Sequence, residues 1–297
     1  MKKYFNLFIY LSLAFLLGSL YHADYLHIPR IYAHLQLVIS LVLLAAGFLC
    51  EAVCWNKVLD IHGCPVVYHD AVVSTGLSIF GKYIPGKIWM VLGRSSYITR
   101  RYGYKNSDTV FIALVTQLVS LWTGLLTGAV CLAALNMPRG LTLTAAALFI
   151  MISCFLFSRR MHCMVSRLYS VVTKHPFAIP LLRIGQVIRL APYFLVRWMS
   201  FSVSFYFLVK ALTNSNVSLA IGFCFPLAGT VGLIAFFAPG GIGVREGILA
   251  ATLISAGFSM ADAATISVAS RLWYLSGELL IFVVALLVKT RVGKTEQ

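Results

Sequence analysis

Charged residues are scarce in this 297-residue sequence: they make up 11% of the chain, and only nine are acidic. A soluble globular domain is about one-quarter charged, because its surface must face water. Hydrophobic residues account for 60% of the chain, and the mean hydropathy is +0.88. These values exclude an ordinary soluble domain.

The sequence also lacks the common catalytic motifs. It contains neither Gly-x-Ser-x-Gly nor His-Glu-x-x-His, and its seven cysteines include no Cys-x-x-Cys pair. The residues that could form a metal site are Cys50, Cys54, His62 and Cys64. Cysteines packed in spanning helices explain these thiols better, so we expect no metal and no cofactor. His69 and Asp70 are the one pair suited to acid–base work, but polar anchoring at the lipid head groups is favoured, and we expect no enzyme activity.

Long hydrophobic runs are what the sequence has in abundance. A run of about 20 apolar residues can cross the roughly 30 Å hydrocarbon core as a helix. The candidate runs are residues 5–20, 35–54, 110–135, 141–157, 191–212 and 263–288. Lys2 and Lys3 precede the first run as in a signal peptide, but no cleavage site of small residues follows it. We therefore predict an all-α integral membrane protein with about six spanning helices, the first of them retained.

The net charge of +15 raises the question of a nucleic-acid partner. With a cytoplasmic N-terminus, however, the six spans place most loop lysines and arginines in the cytoplasm, and only Arg30, Arg139 and Lys210 on the other side. This asymmetry follows the positive-inside rule. We therefore predict a multi-pass protein of the inner (cytoplasmic) membrane, with both termini cytoplasmic and no nucleic-acid partner.

Two further hydrophobic segments are interrupted by glycine and proline. Residues 66–92 break at 81–87, and residues 219–258 break at 239–247. A full crossing by the first segment would invert the charge asymmetry, and each arm is too short to span. This segment is therefore predicted to be a re-entrant hairpin from the cytoplasm. The second segment favours a hairpin from the opposite face, with two tilted spans as the alternative.

Opposed broken segments, one in each half of a chain, are typical of inverted-repeat transporters. We predict a single membrane domain over residues 1–297. Its halves are approximately 1–158 and 191–288, joined by a basic cytoplasmic loop at 159–190.

Several charged residues fall inside hydrophobic segments, where no loop accounts for them. They are Lys82, Lys87, Arg197, Arg245, Glu246, Arg271 and Glu278. A charge at the bilayer centre costs about 2.5–3.5 kcal/mol on insertion scales, so a chain that retains several is expected to use them. Arg271 and Glu278 lie two helical turns apart on one face. They either line a cavity or form an ion pair that holds helices together.

The second break combines glycines with a positive charge. Gly240, Gly241 and Gly243 allow close approach to the main chain, and a helix beginning near Arg245 directs its positive end to the same place. A guanidinium fork beside backbone donors suits a phosphate. The spacing does not match a Walker loop. The alternative is that the glycines only form a tight turn. In the first break, residues 85–87 are a poorer version of the same pattern.

Residues 82–89 (KYIPGKIW) and 239–247 (PGGIGVREG) resemble the transmembrane domain of the lysylphosphatidylglycerol synthase family, and the resemblance covers nearly the whole chain. It implies a membrane unit similar to a lipid flippase, which in bifunctional members moves an aminoacylated lipid made by a separate soluble domain. Because the sequence stops nine residues after Val288, we expect no synthase domain here.

The expected function is translocation of an anionic, phosphate-bearing lipid, either a phospholipid or a polyprenyl-phosphate-linked glycan, in cell-envelope assembly. The expected head-group residues are Arg245, Gly240, Gly241, Gly243, Lys87 and Arg94, the last two on the cytoplasmic side. The expected pathway residues are Glu246, Arg271, Glu278, Lys82, Pro85, Gly86 and Pro239. The alternatives are a membrane-embedded transferase acting on a polyprenyl-phosphate lipid and an accessory subunit of a glycan-assembly system. The expected partners are the lipid itself and either a second copy of the chain or glycan-assembly proteins.

Overall fold

A computed structural model describes residues 30–84, 88–135, 137–158, 160, 183–213, 216–235 and 238–295, and this part of the chain contains helices and no strands. The α-helices are α1 (His34–Ile61), α2 (Tyr68–Ser78), α3 (Ile88–Tyr102), α4 (Asn106–Ala134), α5 (Arg139–Phe157), α6 (Ile184–Thr213), α7 (Cys224–Ile234), α8 (Val244–Ser255) and α9 (Met260–Thr295). Short 3₁₀ helices are present at Ile79–Tyr83, Leu219–Phe223 and Pro239–Gly241.

Five of the helices in the described ranges are long and apolar enough to cross a membrane: α1, α4, α5, α6 and α9. They coincide with five of the predicted runs and confirm an all-α, multi-pass membrane protein. Helix α9 extends well beyond the predicted run 263–288, because polar residues continue the helix at both ends. The predicted first span, 5–20, and residues 161–182 of the basic loop lie outside the described residues.

The first broken segment reverses direction at its break. Helix α2 and the 3₁₀ helix Ile79–Tyr83 form one arm, and α3 forms the other. Near the start of α2, the carboxylate of Asp70 accepts hydrogen bonds from Tyr97 (2.9 Å) and Tyr102 (2.7 Å), which lie near the end of α3. The segment therefore enters and leaves at the same end of the helix bundle, as a hairpin does.

The second arm of this hairpin is longer than the sequence indicated. We expected it to end at residue 92, but α3 continues for ten further residues to Tyr102. The reason is that its polar residues find partners inside the protein. Arg94 pairs with Glu51 of α1, and Tyr97 bonds Asp70.

The second broken segment also consists of two short arms. The first arm runs over Leu219–Ile234 and the second, α8, contains 12 residues; both are shorter than the roughly 20 residues needed to span, which favours the hairpin over two tilted spans. Between them, Gly240, Gly241 and Gly243 have φ values of +58°, +74° and +82°, which side chains other than glycine rarely adopt.

Glycine and serine allow the long helices to approach closely. A side chain at Gly47 of α1 would collide with the ring of Phe201 on α6, and one at Gly277 of α9 would collide with Phe48 on α1. Ser40 also donates to the carbonyl of Ser204 at 2.7 Å. Such small-residue contacts are typical of helix packing in membranes. They set α1, α6 and α9 side by side, with the tips of both hairpins against α9.

Candidate functional site

The tips of the two hairpins meet inside the bundle. A Cβ atom at Gly240, in the second tip, would lie only 2.5 Å from the ring of Tyr83, in the first tip. Arg271 of α9 joins this contact, because its Nη1 donates to the carbonyl oxygen of Gly240 at 2.9 Å. Glycine at position 240 is therefore required both by its backbone conformation and by the close approach of Tyr83.

Helix α9 supplies the charges beside the tips. Glu278 is fully buried and accepts hydrogen bonds from Lys82 and from the hydroxyl of Tyr83, the latter at 2.8 Å. At 1.5 Å per residue, Arg271 and Glu278 lie about 17 and 27 Å along the helix, and hence far from its ends. Their two-turn spacing lets one face of α9 contact both tips.

Arg245 lies in the first turn of α8 and is 5% exposed. Its Nη2 donates to the carbonyl oxygen of Ser270 at 3.1 Å, and its guanidinium carbon lies 4.8 Å from the ring centres of both Phe225 and Tyr274. Its Nε is buried without a hydrogen-bond partner among the described residues. The group is thus held between aromatic faces, with one donor unused.

Two of the backbone donors that we expected to be free at the second break are used within the fold. The N–H of Gly243 donates to Glu246 at 2.8 Å, and the N–H of Gly241 donates to the carbonyl oxygen of Ala238 at 2.9 Å. Glu246 in turn lies 3.6 Å from Arg271. The fold itself uses these main-chain groups, so side chains define the charged site.

A second charged cluster lies beside the first, and its acid, Glu51, was missed in the sequence. Glu51 of α1 accepts a hydrogen bond from Arg94 at 3.0 Å and lies 3.9 Å from Arg197. Arg197 also donates to Ser120 at 2.7 Å. Both arginines have a buried Nε without a hydrogen-bond partner in the described ranges. Lys82 lies within electrostatic range of Glu51, which connects this cluster with the hairpin tips.

The hairpin tips enclose a small charged chamber of about 40 Å³. The residues around it are Lys82, Tyr83, Trp198, Phe225, Gly229, Gly232, Leu233, Gly240, Arg245, Arg271, Tyr274 and Glu278. A single water molecule needs roughly 10–15 Å³ of such space, so the chamber has room for a few water molecules.

A larger apolar cavity of about 400 Å³ lies next to the chamber, between α3, α4, α5 and the end of α7. Lys82 and Leu233 line both spaces. Ile88, Leu114 and Met151 line the cavity and are also exposed on the outside of the protein. The cavity therefore opens laterally, toward the region that lipid occupies around a membrane protein.

The structure brings together most of the residues singled out in the sequence. Arg245, Gly240, Glu246, Arg271, Glu278 and Lys82 meet at the tips, and Pro239 begins the turn of the second tip. Arg94, which we predicted to act at the cytoplasmic side, is buried beside Glu51. Pro85, Gly86 and Lys87 lie outside the described residues. Glu51 could have been recognised as the one acid within the apolar run 35–54.

The thiols that could have formed a metal site are free. In the parts of the chain that the structure describes, no three His, Cys, Asp or Glu side chains are grouped closely enough to hold a metal ion. In the acid–base candidate pair, Asp70 has 2% exposure and lies 3.5 Å from His69 and 3.7 Å from Arg101, in addition to its two tyrosine partners. These contacts make it a clasp between the arms of the first hairpin.

The fold and the site define a multi-pass, all-α membrane protein with a buried charged chamber where two broken helices meet. The chain belongs to the family described as the lysylphosphatidylglycerol synthase TM region, which matches residues 5–281. Comparison with curated proteins and with solved structures found no match.

Proposed function

We propose that the protein translocates a lipid with an anionic, phosphate-bearing head group between the leaflets of the inner membrane, in cell-envelope assembly. The observation that carries this proposal is the position of Lys82, which lines both the charged chamber and the apolar cavity. A lipid likewise has a charged head group and apolar chains, joined covalently. Its head group would enter the chamber while its chains lie in the cavity.

The chamber has the chemistry of an anion site. Arg245 and Arg271 line it, and both are buried. In surroundings of low dielectric constant, a guanidinium group binds a phosphate oxygen by strong charge-assisted hydrogen bonds. The aromatic rings beside Arg245 hold its side chain in place while leaving Nε available.

The cavity has the chemistry of a site for lipid chains. Among its described lining residues, Lys82 and Gln117 are the polar ones, and the rest are aliphatic, aromatic or methionine. A lateral opening would let a chain remain in the membrane while the head group moves. This arrangement avoids the cost of passing a long hydrocarbon chain through a polar pore.

The meeting of two broken helices supports transport rather than static binding. In transporters, discontinuous helices near mid-membrane form the substrate site, and movement of one segment against the other exposes it to alternate sides. Tyr83 and Gly240 are in close contact beside the chamber, so movement of one tip against the other would change access to it. In this proposal the charged residues bind the head group without forming a covalent bond, and both termini are cytoplasmic.

The test is lipid movement in reconstituted vesicles that contain the purified protein and a head-group-labelled phosphate lipid. We expect wild-type protein to bring the label to the opposite leaflet, and Arg245→Met to lose most of this activity because the head group loses its counter-charge. Arg139→Met, which changes an exposed arginine, is the matched control and should transport normally. Transport at the wild-type rate by a well-folded Arg245→Met protein would contradict the proposal.

A second variant tests the cavity. Leu114→Trp should narrow the cavity and slow transport, because Leu114 lines it. Val130→Trp, at another exposed position of α4 away from this cavity, is the control. Equal rates for the two variants would show that lipid chains do not use the cavity.

A further inference from the structure

The buried charges at the centre of the described bundle do not balance. The cations are Lys82, Arg94, Arg197, Arg245 and Arg271, and the anions are Glu51, Glu246 and Glu278. Five positive charges and three negative charges leave an excess of two positive charges. Four of the cations are arginines, which remain protonated in proteins, and Lys82 is held by Glu278.

The contacts show where the excess charge lies. Lys82 pairs with Glu278, and Arg271 pairs with Glu246. Arg245 contacts Ser270 and two aromatic rings and makes no ion pair among the described residues. The second excess charge is on the other cluster, where a single carboxylate serves two guanidinium groups.

Within the described residues, hydrogen-bonding capacity is left over at both of these places, as it also is at one carboxylate oxygen of Glu246 and at the hydroxyls of Thr75 and Thr230. The Nε atoms of Arg245, Arg94 and Arg197 are all buried without a hydrogen-bond partner in the described part of the chain. Buried polar groups in folded proteins nearly always have partners, so each exception calls for an explanation. Surplus charge and surplus donors coincide, and this coincidence points to an anionic ligand that supplies what both clusters lack.

We propose that the transported head group carries two negative charges, as a phosphomonoester or a diphosphate does, and that these charges compensate the excess positive charge at Arg245 and at the Arg94–Arg197 pair. This inference rests on the proposed function and specifies its substrate class. Near neutral pH a phosphomonoester carries about −1.5 to −2 charges. Such a group balances the two clusters taken together, whereas a phosphodiester with one negative charge leaves one buried charge uncompensated.

The same arithmetic excludes the lipid after which the family is named. Lysyl-phosphatidylglycerol has one phosphodiester charge and two protonated amines, so its net charge is +1. In the chamber it would raise the excess from two positive charges to three. Uncompensated charge in a low-dielectric interior is strongly unfavourable, so this chain requires a substrate of the opposite sign.

The test compares lipids that share the same chains and differ in head-group charge. They are a phosphatidate (phosphomonoester), its methyl ester (phosphodiester), phosphatidylglycerol and lysyl-phosphatidylglycerol. Binding is measured at pH 8 by native mass spectrometry of the full-length protein, and transport is measured in vesicles. We expect the phosphatidate to bind about tenfold or more tightly than its methyl ester, because one charged hydrogen bond is gained. Lysyl-phosphatidylglycerol should bind least.

Substitutions that remove one of the excess positive charges provide the second part of the test. Arg94→Gln should reduce the preference for phosphatidate over its methyl ester about tenfold, because one positive charge is removed while Glu51 still has Arg197 as partner. Arg189→Gln, at an exposed position on the same helix as Arg197, should leave the preference unchanged. Inorganic phosphate is included as a competitor, and we expect it to bind far more weakly than the lipid, since it cannot use the cavity.

The outcomes separate the two proposals. If both phosphatidate and its methyl ester are transported at equal rates, transport stands and the two-charge inference is overturned. If inorganic phosphate competes as well as the lipid does, the anion site does not serve a lipid. If no lipid binds or moves, the proposed function fails and the inference fails with it.

Discussion

Lys82 and Glu278 are 196 residues apart in the sequence and form a buried ion pair at the centre of the protein. The pair joins the tip of the first hairpin to α9, and Tyr83 reinforces it with a hydrogen bond to the second carboxylate oxygen. Each side chain is therefore needed mainly as the counter-charge of the other.

Lys82→Met leaves Glu278 without its counter-charge. We expect this variant to lose about 3–5 kcal/mol of stability, as is typical when one partner of a buried pair is removed. The double variant Lys82→Met/Glu278→Gln should recover part of the loss. Thermal unfolding in detergent measures both. Losses that simply add would show that the two side chains do not stabilise each other.

Three glycines in and after the second break form a graded series. Gly240→Ala should be the most harmful, because it combines a positive φ with a collision against Tyr83. Gly243→Ala should cost about 1–3 kcal/mol from its backbone conformation alone (φ 82°, ψ −49°), since nothing lies within 4 Å of the added Cβ atom. Gly247→Ala, in open space inside α8, should be neutral or stabilising. Thermal unfolding should reproduce this order, and equal effects of the first two would mean that the tips are not in contact.

Asp70 clasps the open end of the first hairpin. Asp70→Asn removes the charge and leaves one acceptor oxygen for two tyrosine hydroxyls, so we expect a loss of about 1.5–3 kcal/mol. Amide hydrogen exchange should rise in α2 and in the second half of α3. Asp60→Asn, which affects an exposed aspartate paired with Lys57, is the control and should leave exchange unchanged.

Cys131 of α4 and Cys224 of α7 have their sulfur atoms 3.0 Å apart. A mild oxidant should therefore crosslink them in a protein whose other cysteines are serine. Peptide mass mapping detects the bond. Absence of a crosslink would place α7, and with it the second hairpin, elsewhere in the bundle.

The charge asymmetry predicts the orientation of the chain. An impermeant thiol reagent applied from outside should label Gly140→Cys, in the exposed turn at the start of α5, in a cysteine-free background. Arg100→Cys, near the Asp70 end, should react only after the membrane is permeabilised. Labelling of both from outside would reverse or break the proposed topology.

The long helices and the two breaks could be predicted from the sequence because both depend on local features. Apolar run length identifies a span, and adjacent proline and glycine identify an interruption. The length of α3 could not be predicted in this way. Its polar residues Arg94 and Tyr97 are accommodated because Glu51 of α1 and Asp70 of α2 bind them, and these tertiary contacts are not visible in the sequence.

The charged site was only partly predictable for a related reason. Arg245, Arg271 and Glu278 stand out because charges are rare in apolar segments. Their partners cannot be read from the sequence, because pairing depends on tertiary contacts across nearly 200 positions, as for Lys82. Glu51 was overlooked because a single acid scarcely changes the hydropathy of its run. The N–H groups of Gly241 and Gly243, which we expected to face a ligand, instead form hydrogen bonds within the turn.

The Asp70 clasp makes the first hairpin a lever. With its arms joined at one end, α2 and the following 3₁₀ helix form a stiff rod about 26 Å long. Tilting such a rod by about 10° moves its far end by about 4.5 Å, which exceeds the reach of a hydrogen bond. A rotation of this size at Asp70 would therefore separate Lys82 and Tyr83 from Glu278 together.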